Sequence, residues 1–400
     1  MLFKIFYFIT TSLALFVSLP FLWIISKIKS KYRESIPARF WLKNNAPLKE
    51  DGIWIHVCSF GEAKSISGLV KEIPQKLLRL SAITKTGFDE ISKYSKESRY
   101  LPFEPLLFFW AKPQKILIVL EAELWYLLFL FAKKRGAQTF LVNARMSEKS
   151  YPKYLRFKWL YKRIFAQIDE IYVQSEDDAA RFRELGAKNI SVTGNIKFAN
   201  IAKLTKELKK PDGIFVCGAS THENEESLIL DGFRSLKFKK PNSKIAIVPR
   251  HPERFDKVDK MMSSLSKLYG WSYHRYSQRD DFDSDMVLVD VLGELVNIYA
   301  ISDFVVLGGA FEMIGGHNAL EAAQFGCKII SGQNYFNQKE IFGGIEGIKI
   351  VSKEELREAI SYPNLLPKTT IKSSANIDTM LEKIKKIANK RKRNVKRKSV

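Results

Sequence analysis

Acidic residues placed directly after buried apolar runs are the first sign of chemistry in this 400-residue chain. The run 52–58 (GIWIHVC) leads into Ser59-Phe60-Gly61-Glu62-Ala63. Gly61 permits a tight turn, and Glu62 then stands at a strand end beside a helix N-terminus. A carboxylate there can take a proton from a substrate hydroxyl; it can equally complement the helix dipole. The run 116–120 (ILIVL) leads into Glu121-Ala122-Glu123-Leu124-Trp125, two carboxylates two apart. Packing does not explain acids at such a place. One of them can cap a helix, which leaves the other for chemistry.

The second half of the chain offers groups of another kind. In Gly218-Ala219-Ser220-Thr221-His222-Glu223, small and hydroxylated residues at a strand-to-helix turn can present backbone N–H groups to a phosphate. Ser220 or Thr221 acting as an ordinary N-cap is the alternative. Arg250, in Pro249-Arg250-His251-Pro252-Glu253-Arg254, carries a planar, permanently charged fork suited to phosphate, unless it pairs with Glu253. Gly308-Gly309 ends a further apolar run, and Gly315-Gly316-His317-Asn318-Ala319-Leu320-Glu321 leads into a helix. Glycines let backbone approach a nucleotide, and Glu321 suits ribose hydroxyls or caps its own helix. A lone glycine pair is weak evidence; four such strand ends in register are stronger.

These positions need strands to carry them. Apolar runs at 52–58, 116–120, 139–142, 170–174 and 190–193 read as buried strands, with helical stretches such as 64–78 and 177–185 between them. The chain turns charged near 203–212 and Pro211 breaks it. The rhythm restarts at 213–217, 244–248, 286–289, 303–307 and 328–330. Repeated βαβ units imply mostly parallel sheets. Two of them in series predict an α/β chain of two Rossmann-like lobes with a cleft between them. Ligands of such sheets bind at the carboxyl ends of the strands.

Composition narrows the partners. Lys+Arg 65 against Asp+Glu 43 gives a net charge of +22, which suits nucleic acid, an anionic membrane or an acidic substrate. No RNA-binding module with stacked aromatics accompanies the charge, so no nucleic-acid partner is expected. Cys58, Cys217 and Cys327 are far apart and odd in number, which fits a reducing cytosol. The five histidines show no HxxxH arrangement, and no metal is expected. Residues 5–26 carry no charge, a run of about 22 residues, enough to span a bilayer. Lys27, Lys29, Lys31 and Arg33 follow, which places the rest of the chain in the cytoplasm if the run is a signal-anchor. An interfacial helix and a cleaved signal peptide are the rival readings. Lys383, Lys385, Lys386, Lys390, Arg391, Lys392, Arg393, Lys396, Arg397 and Lys398 read as a polybasic tail able to hold anionic lipid. The expected layout is therefore an anchor at 1–30, a first Rossmann-like lobe at 31–205, a second at 206–382 and a tail at 383–400.

The ordered set SFGE (59–62), EAELW (121–125), NARMSEKS (143–150), QSEDDAARF (174–182), VTGNIKF (192–198), ASTHENEE (219–226), IVPRHPERF (247–255), LGEL (292–295) and GGHNALEAA (315–323) resembles the 3-deoxy-D-manno-octulosonic acid (Kdo) transferases of lipopolysaccharide core assembly. The resemblance runs from the N-terminal apolar segment to about residue 345. It implies a GT-B glycosyltransferase fold and transfer of Kdo from CMP-Kdo to the tetraacyl disaccharide precursor of lipid A, with no metal. It also implies that the first lobe takes the acceptor and the second the CMP-sugar. By motif it implies Glu62 as general base, with Glu121 and Lys197 assisting the transition state. Pro249 and Arg250, Gly293, Glu294 and Leu295, and Asn318, Ala319, Leu320 and Glu321 are implied as the CMP site, beside Ser220 and Thr221. Ala122 stands where the family usually has Thr, and Ala319 where it usually has Pro. Only Thr84-Lys85-Thr86-Gly87 remains of a threonine-rich motif after Glu62. These departures touch acceptor fit and remove no implied catalytic group.

Overall fold

The computed structural model describes residues 2–199, 202–372 and 375–389. The chain divides into two compact units, Met1–Asn200 with Ser374–Val400, and Ile201–Ser373.

In the first unit seven parallel strands form one sheet: β1 (Ile53–Val57), β2 (Leu78–Ala82), β3 (Ser98–Tyr100), β4 (Ile116–Leu120), β5 (Gln138–Ala144), β6 (Glu170–Val173) and β7 (Ile190–Val192). Their order is β3-β2-β1-β4-β5-β6-β7, so the sheet changes direction between β1 and β4. Side chains of β1 alternate between two cores, as a strand buried on both faces must. Trp54 joins the layer of Trp110, Phe129 and Leu141, while Ile53, Ile55 and Val57 join that of Leu69, Leu80 and Phe140.

The second unit repeats the plan with β8 (Phe215–Thr221), β9 (Lys244–Pro249), β10 (Tyr273–Arg275), β11 (Met286–Leu288), β12 (Phe304–Leu307), β13 (Lys328–Ser331), β14 (Ile345–Glu346), β15 (Ile348–Ile350) and β16 (Thr370–Ile371). Its parallel sheet runs β10-β11-β9-β8-β12-β13-β15, and β14 pairs with β16 antiparallel. This sheet reverses between β8 and β12. Each unit is thus doubly wound, as the two Rossmann-like lobes of a GT-B chain require.

Several sequence expectations shift. The helix expected over 64–78 is two short helices, Phe60–Ser65 and Ser67–Lys71, because Pro74 ends helical geometry and β2 begins at Leu78. β2 (LRLSA) hides its arginine: Arg79 Nε donates to the Lys49 carbonyl at 2.9 Å and Nη1 to the Lys76 carbonyl at 3.0 Å. β8 runs four residues past the expected end. Gly218 permits this, since a Cβ there would lie 2.7 Å from Ile247 Cδ1.

The termini differ most. The helix Leu2–Ile28, 27 residues, is long and apolar enough to cross a membrane. Its first turns dock on the first unit: Phe3 meets Tyr126 and Trp159 edge-on, and Tyr7 donates to Glu104 Oε2 at 2.7 Å. Glu104 is buried, and its other oxygen accepts from Leu127 N at 2.6 Å. The domain limits expected at 206–382 and 383–400 do not hold. The helix Asp378–Asn389 returns to the first unit and seats Met380, Ile384 and Ala388 beside Phe140, Tyr172 and Ile196. Lys383 and Lys385, expected in a polybasic tail, pair with Glu170 and Glu72 from the polar face of that helix. The rest of the basic segment, from Lys390 on, lies outside the described residues.

Ile384 is 1% exposed. Ile384→Ala is expected to lower unfolding stability by about 2–5 kcal/mol, read by urea denaturation in detergent. An unchanged midpoint would return this segment to the status of a tail.

Candidate active site

At the reversal of the first sheet the chain must turn at once after β1 and after β4, and both turns carry acids. Ser59 caps the helix Phe60–Ser65, its Oγ accepting from Glu62 N at 3.4 Å. The Glu62 carboxylate folds back over that cap, accepting from Cys58 N at 2.8 Å and Ser59 Oγ at 3.0 Å. Both readings of Glu62 therefore meet in one side chain, since it completes the cap and also keeps a half-buried carboxylate at a strand end. Burial, and then the charges of Glu121 and Glu123, push its pKa up to about 7, against the Cys58 N–H and the Ser59 hydroxyl, which lower it.

Glu121 follows β4 with φ +55, a left-handed conformation rare outside glycine and characteristic of functional turns. Its backbone N–H donates to the Val142 carbonyl at 2.9 Å, and Arg145 Nε lies 3.7 Å from Oε2. Glu123 accepts from Trp125 Nε1 at 2.6 Å. Burial and the nearby charge of Glu123 push the Cys58 thiol up to about 12, which keeps it protonated and inert. Arg39 faces Cys58 and Glu123 and donates from Nε to the Leu101 carbonyl at 2.9 Å.

Lys197 reaches the same edge by a non-local tie. It lies in the 3-10 turn Ile196–Phe198, whose first N–H donates at 3.0 Å to Oδ1 of Asn143. Asn143, in β5 beside the Glu121 turn, itself has φ +57. Arg39 and Arg145 belong to this edge and were not singled out from the sequence. Arg145 was visible inside the NARMSEKS run; nothing local marks Arg39.

In the second unit the expected nucleotide residues also collect at strand carboxyl ends. Ser220, with φ +51, and Thr221 close β8, and Pro249 closes β9 with Arg250 next. Arg250 N donates to the Thr221 carbonyl at 3.0 Å. Among the described residues no acid pairs with the exposed Arg250 guanidinium; Glu253 lies nearer His251, at 3.8 Å. The N-cap role held open for Ser220 or Thr221 falls to Asn224, because the helix begins only at Glu225. Thr221 Oγ1 donates instead to Glu226 Oε1 at 3.1 Å.

Gly293, with φ +94, Glu294 and Leu295 open the helix Leu295–Ile301 beyond β11, where Glu294 accepts from Asn297 Nδ2 at 2.9 Å. Asn318 Oδ1 accepts from Leu320 N at 3.0 Å, which starts the helix Leu320–Ala323. Ala319 is its buried N-cap position, and Glu321 stands in its first turn. Among the described residues no group of three or more His, Cys, Asp or Glu side chains is placed to hold a metal ion.

A folded-state pKa near 7 has a thermodynamic signature. Between about pH 4.5 and 7 the folded chain holds a proton on Glu62 that the unfolded chain has lost, so this group's contribution to stability falls as pH rises through that window. Glu62→Gln removes the loss. The stability difference between Glu62→Gln and wild type should grow with pH across this window, by at most about 1.4 kcal/mol per unit, and flatten above it. A difference independent of pH would contradict the shift.

A family model described as 3-deoxy-D-manno-octulosonic-acid transferase (kdotransferase) matches residues 34–200. A 3-deoxy-D-manno-octulosonic acid transferase of Haemophilus influenzae is 32% identical over 346 residues, covering 80% of this chain and 80% of that protein. A bifunctional glycosyltransferase/methyltransferase of Fusobacterium nucleatum is 32% identical over 349 residues, 78% of this chain; the match spans about half, 52%, of that longer protein. Among solved structures, the C-terminal CMP-Kdo binding domain of WaaA from Acinetobacter baumannii matches 44% of this chain and 86% of its own, at 25% identity and a TM-score of 0.34. With 32% identity across four fifths of both sequences, and with its acids and cations at the strand ends of two doubly wound units, the chain belongs to the 3-deoxy-D-manno-octulosonic acid transferase family of glycosyltransferases.

Proposed function

We propose that the protein transfers Kdo from CMP-Kdo to the tetraacyl disaccharide precursor of lipid A, lipid IVA, in lipopolysaccharide synthesis. Transfer takes place at the cytoplasmic face of the bacterial inner membrane, to which the N-terminal helix and anionic lipids hold the chain. The observation that carries this reading is Glu62, a half-buried carboxylate poised near neutrality at the reversal of a parallel sheet.

Cleaving the donor builds negative charge on the CMP phosphate and positive charge on the sugar. The Arg250 fork, uncommitted among the described residues, meets the first. Backbone N–H groups at the end of β8 meet the phosphate too, and backbone at the end of β12 and the side chain of Glu321 hold the nucleoside. Glu62 takes the proton of the attacking acceptor hydroxyl, which a base of this pKa does well near pH 7. Glu121 favours the cationic sugar, and Lys197 neutralises the donor's phosphate or carboxylate. One displacement with one base inverts the anomeric centre. No metal is needed, because fixed cations do the electrostatic work.

Incubating full-length protein in detergent with CMP-Kdo and lipid IVA should give a Kdo-bearing lipid by mass spectrometry. Glu62→Ala should stay folded and give none. A well-folded Glu62→Ala with near wild-type turnover would remove the base assignment. The same assay should run at full rate in excess EDTA; loss on chelation, restored by Mg²⁺, would overturn the metal-free reading. Arg250→Ala should cost roughly 2–4 kcal/mol of transition-state stabilisation, with the apparent affinity for the lipid acceptor unchanged. A change confined to the acceptor term would assign Arg250 to the wrong substrate.

A further inference from the structure

Three histidines at the carboxyl end of the second sheet have no part in the reading above. His222 directly follows β8, His251 follows Arg250, and His317 ends the glycine-rich loop after β12. The rings of His222 and His317 meet edge to edge, with planes 7° apart, centroids 5.0 Å apart and Nε2 atoms 2.8 Å apart. His251 meets His222 edge-on at 5.3 Å. At 2.8 Å two imidazole nitrogens hold one proton between them, one ring donating and the other accepting.

The contact is built from several sides. The Glu225 carboxylate is fully buried; it accepts from His222 N at 3.0 Å, Gly309 N at 2.8 Å and Phe311 N at 3.2 Å, clamping the two loops together. Gly309 has φ +77, and a Cβ there would lie 2.7 Å from His317 Cδ2. Gly316 N donates back to the Gly309 carbonyl at 2.7 Å. Glycine at 309 is therefore a condition of the histidine pair.

We propose that the His222–His317 pair is a proton-dependent phosphate contact: it takes one proton from solvent when a nucleotide phosphate occupies the strand ends beside Arg250, and the resulting cation shares that phosphate with the arginine. The proposal rests on the reading of the second unit as the CMP-sugar site. The charges around the pair favour the switch. Burial, then His251, Arg254 and Arg250, hold the His222 pKa below the ordinary histidine value, so without ligand its charged form is disfavoured.

Of the neighbouring acids, Glu253 stands at the exposed rim, 3.8 Å from His251, and the others are already occupied. Glu226 is buried against Arg254 at 2.8 Å, Glu223 pairs with Lys257, Glu312 pairs with Lys353 at 2.7 Å, and Glu225 is bound to backbone N–H groups. The phosphate dianion of CMP, the group left when the sugar is transferred, is the missing negative charge. It cancels the cationic field that keeps the proton away, so binding and protonation support each other.

The test is calorimetry of CMP binding to the full-length protein at pH 7.5, in buffers of different ionisation enthalpy. A phosphate of second pKa about 6 is then already almost all dianion, so a net proton uptake comes from the protein. Wild type should take up about half to one proton per CMP, and cytidine, lacking the phosphate, should cause no uptake. His222→Asn and His317→Gln should bind CMP about tenfold more weakly, with uptake near zero. CMP binding by wild type without proton uptake would overturn the proposal and leave the donor site standing. Failure of wild type to bind CMP at all would overturn the donor reading and the proposal with it. Because the decisive quantity is measured on wild type, a misfolded variant does not blunt the test.

Discussion

A parallel sheet buried on both faces leaves polar side chains very few places to go, and this constraint organises the molecule. The five residues of β1 and the five of β4 are all buried, so acids and cations of these chains are displaced to the first residues after each strand. There the backbone leaves the sheet in a turn before the next helix begins. The turns at Glu121 and Ser220, and Asn143 near the end of β5, take left-handed conformations with φ of +55, +51 and +57. Non-glycine residues bear such strain only where surrounding contacts over-determine it. Both sheets reverse direction where the richest turns fall, after β1 and β4 in the first unit and after β8 and β12 in the second.

The electrostatics of the first unit follow from the same crowding. Adjacent strands lie about 4.8 Å apart, so acids on the turns after β1 and β4 feel one another's charge. Glu62 is raised by burial and by Glu121 and Glu123, and it stays bound because Cys58 N–H and Ser59 Oγ hold its oxygens. A carboxylate both fixed and near neutrality is suited to accept a proton at physiological pH. In the second unit the turns carry Arg250, Arg254 and three histidines, a set suited to an anion. The division of labour between base and phosphate is already present in which residues follow which strands.

What the sequence disclosed depended on how local the signal was. Glu62, Glu121, Arg250 and Glu321 stood out because each follows an apolar run or a glycine pair within a few residues. Lys197 did not, because its place is set by Asn143 Oδ1, 53 positions earlier than Ile196, through one hydrogen bond; only the family motif pointed to it. β2 escaped because LRLSA carries an arginine whose charge is absorbed by carbonyls of neighbouring segments. From 383 on the C-terminal helix reads as a basic tail, since its lysines dominate the composition while Met380, Ile384 and Ala388 fall on one narrow stripe. The histidine pair needed two loops 95 residues apart to be brought together, which no spacing rule reveals.

The account turns on a near-neutral Glu62 whose acidity is set by its neighbours as well as by burial. The direct measurement is kcat/KM for Kdo transfer against pH, for wild type and for Glu121→Gln. Wild type should lose activity with a single protonation near pH 7, and removing the Glu121 charge should move that limb to lower pH even where the rate falls. A wild-type profile flat from pH 5 to 9, or a limb that ignores Glu121→Gln, would contradict the account.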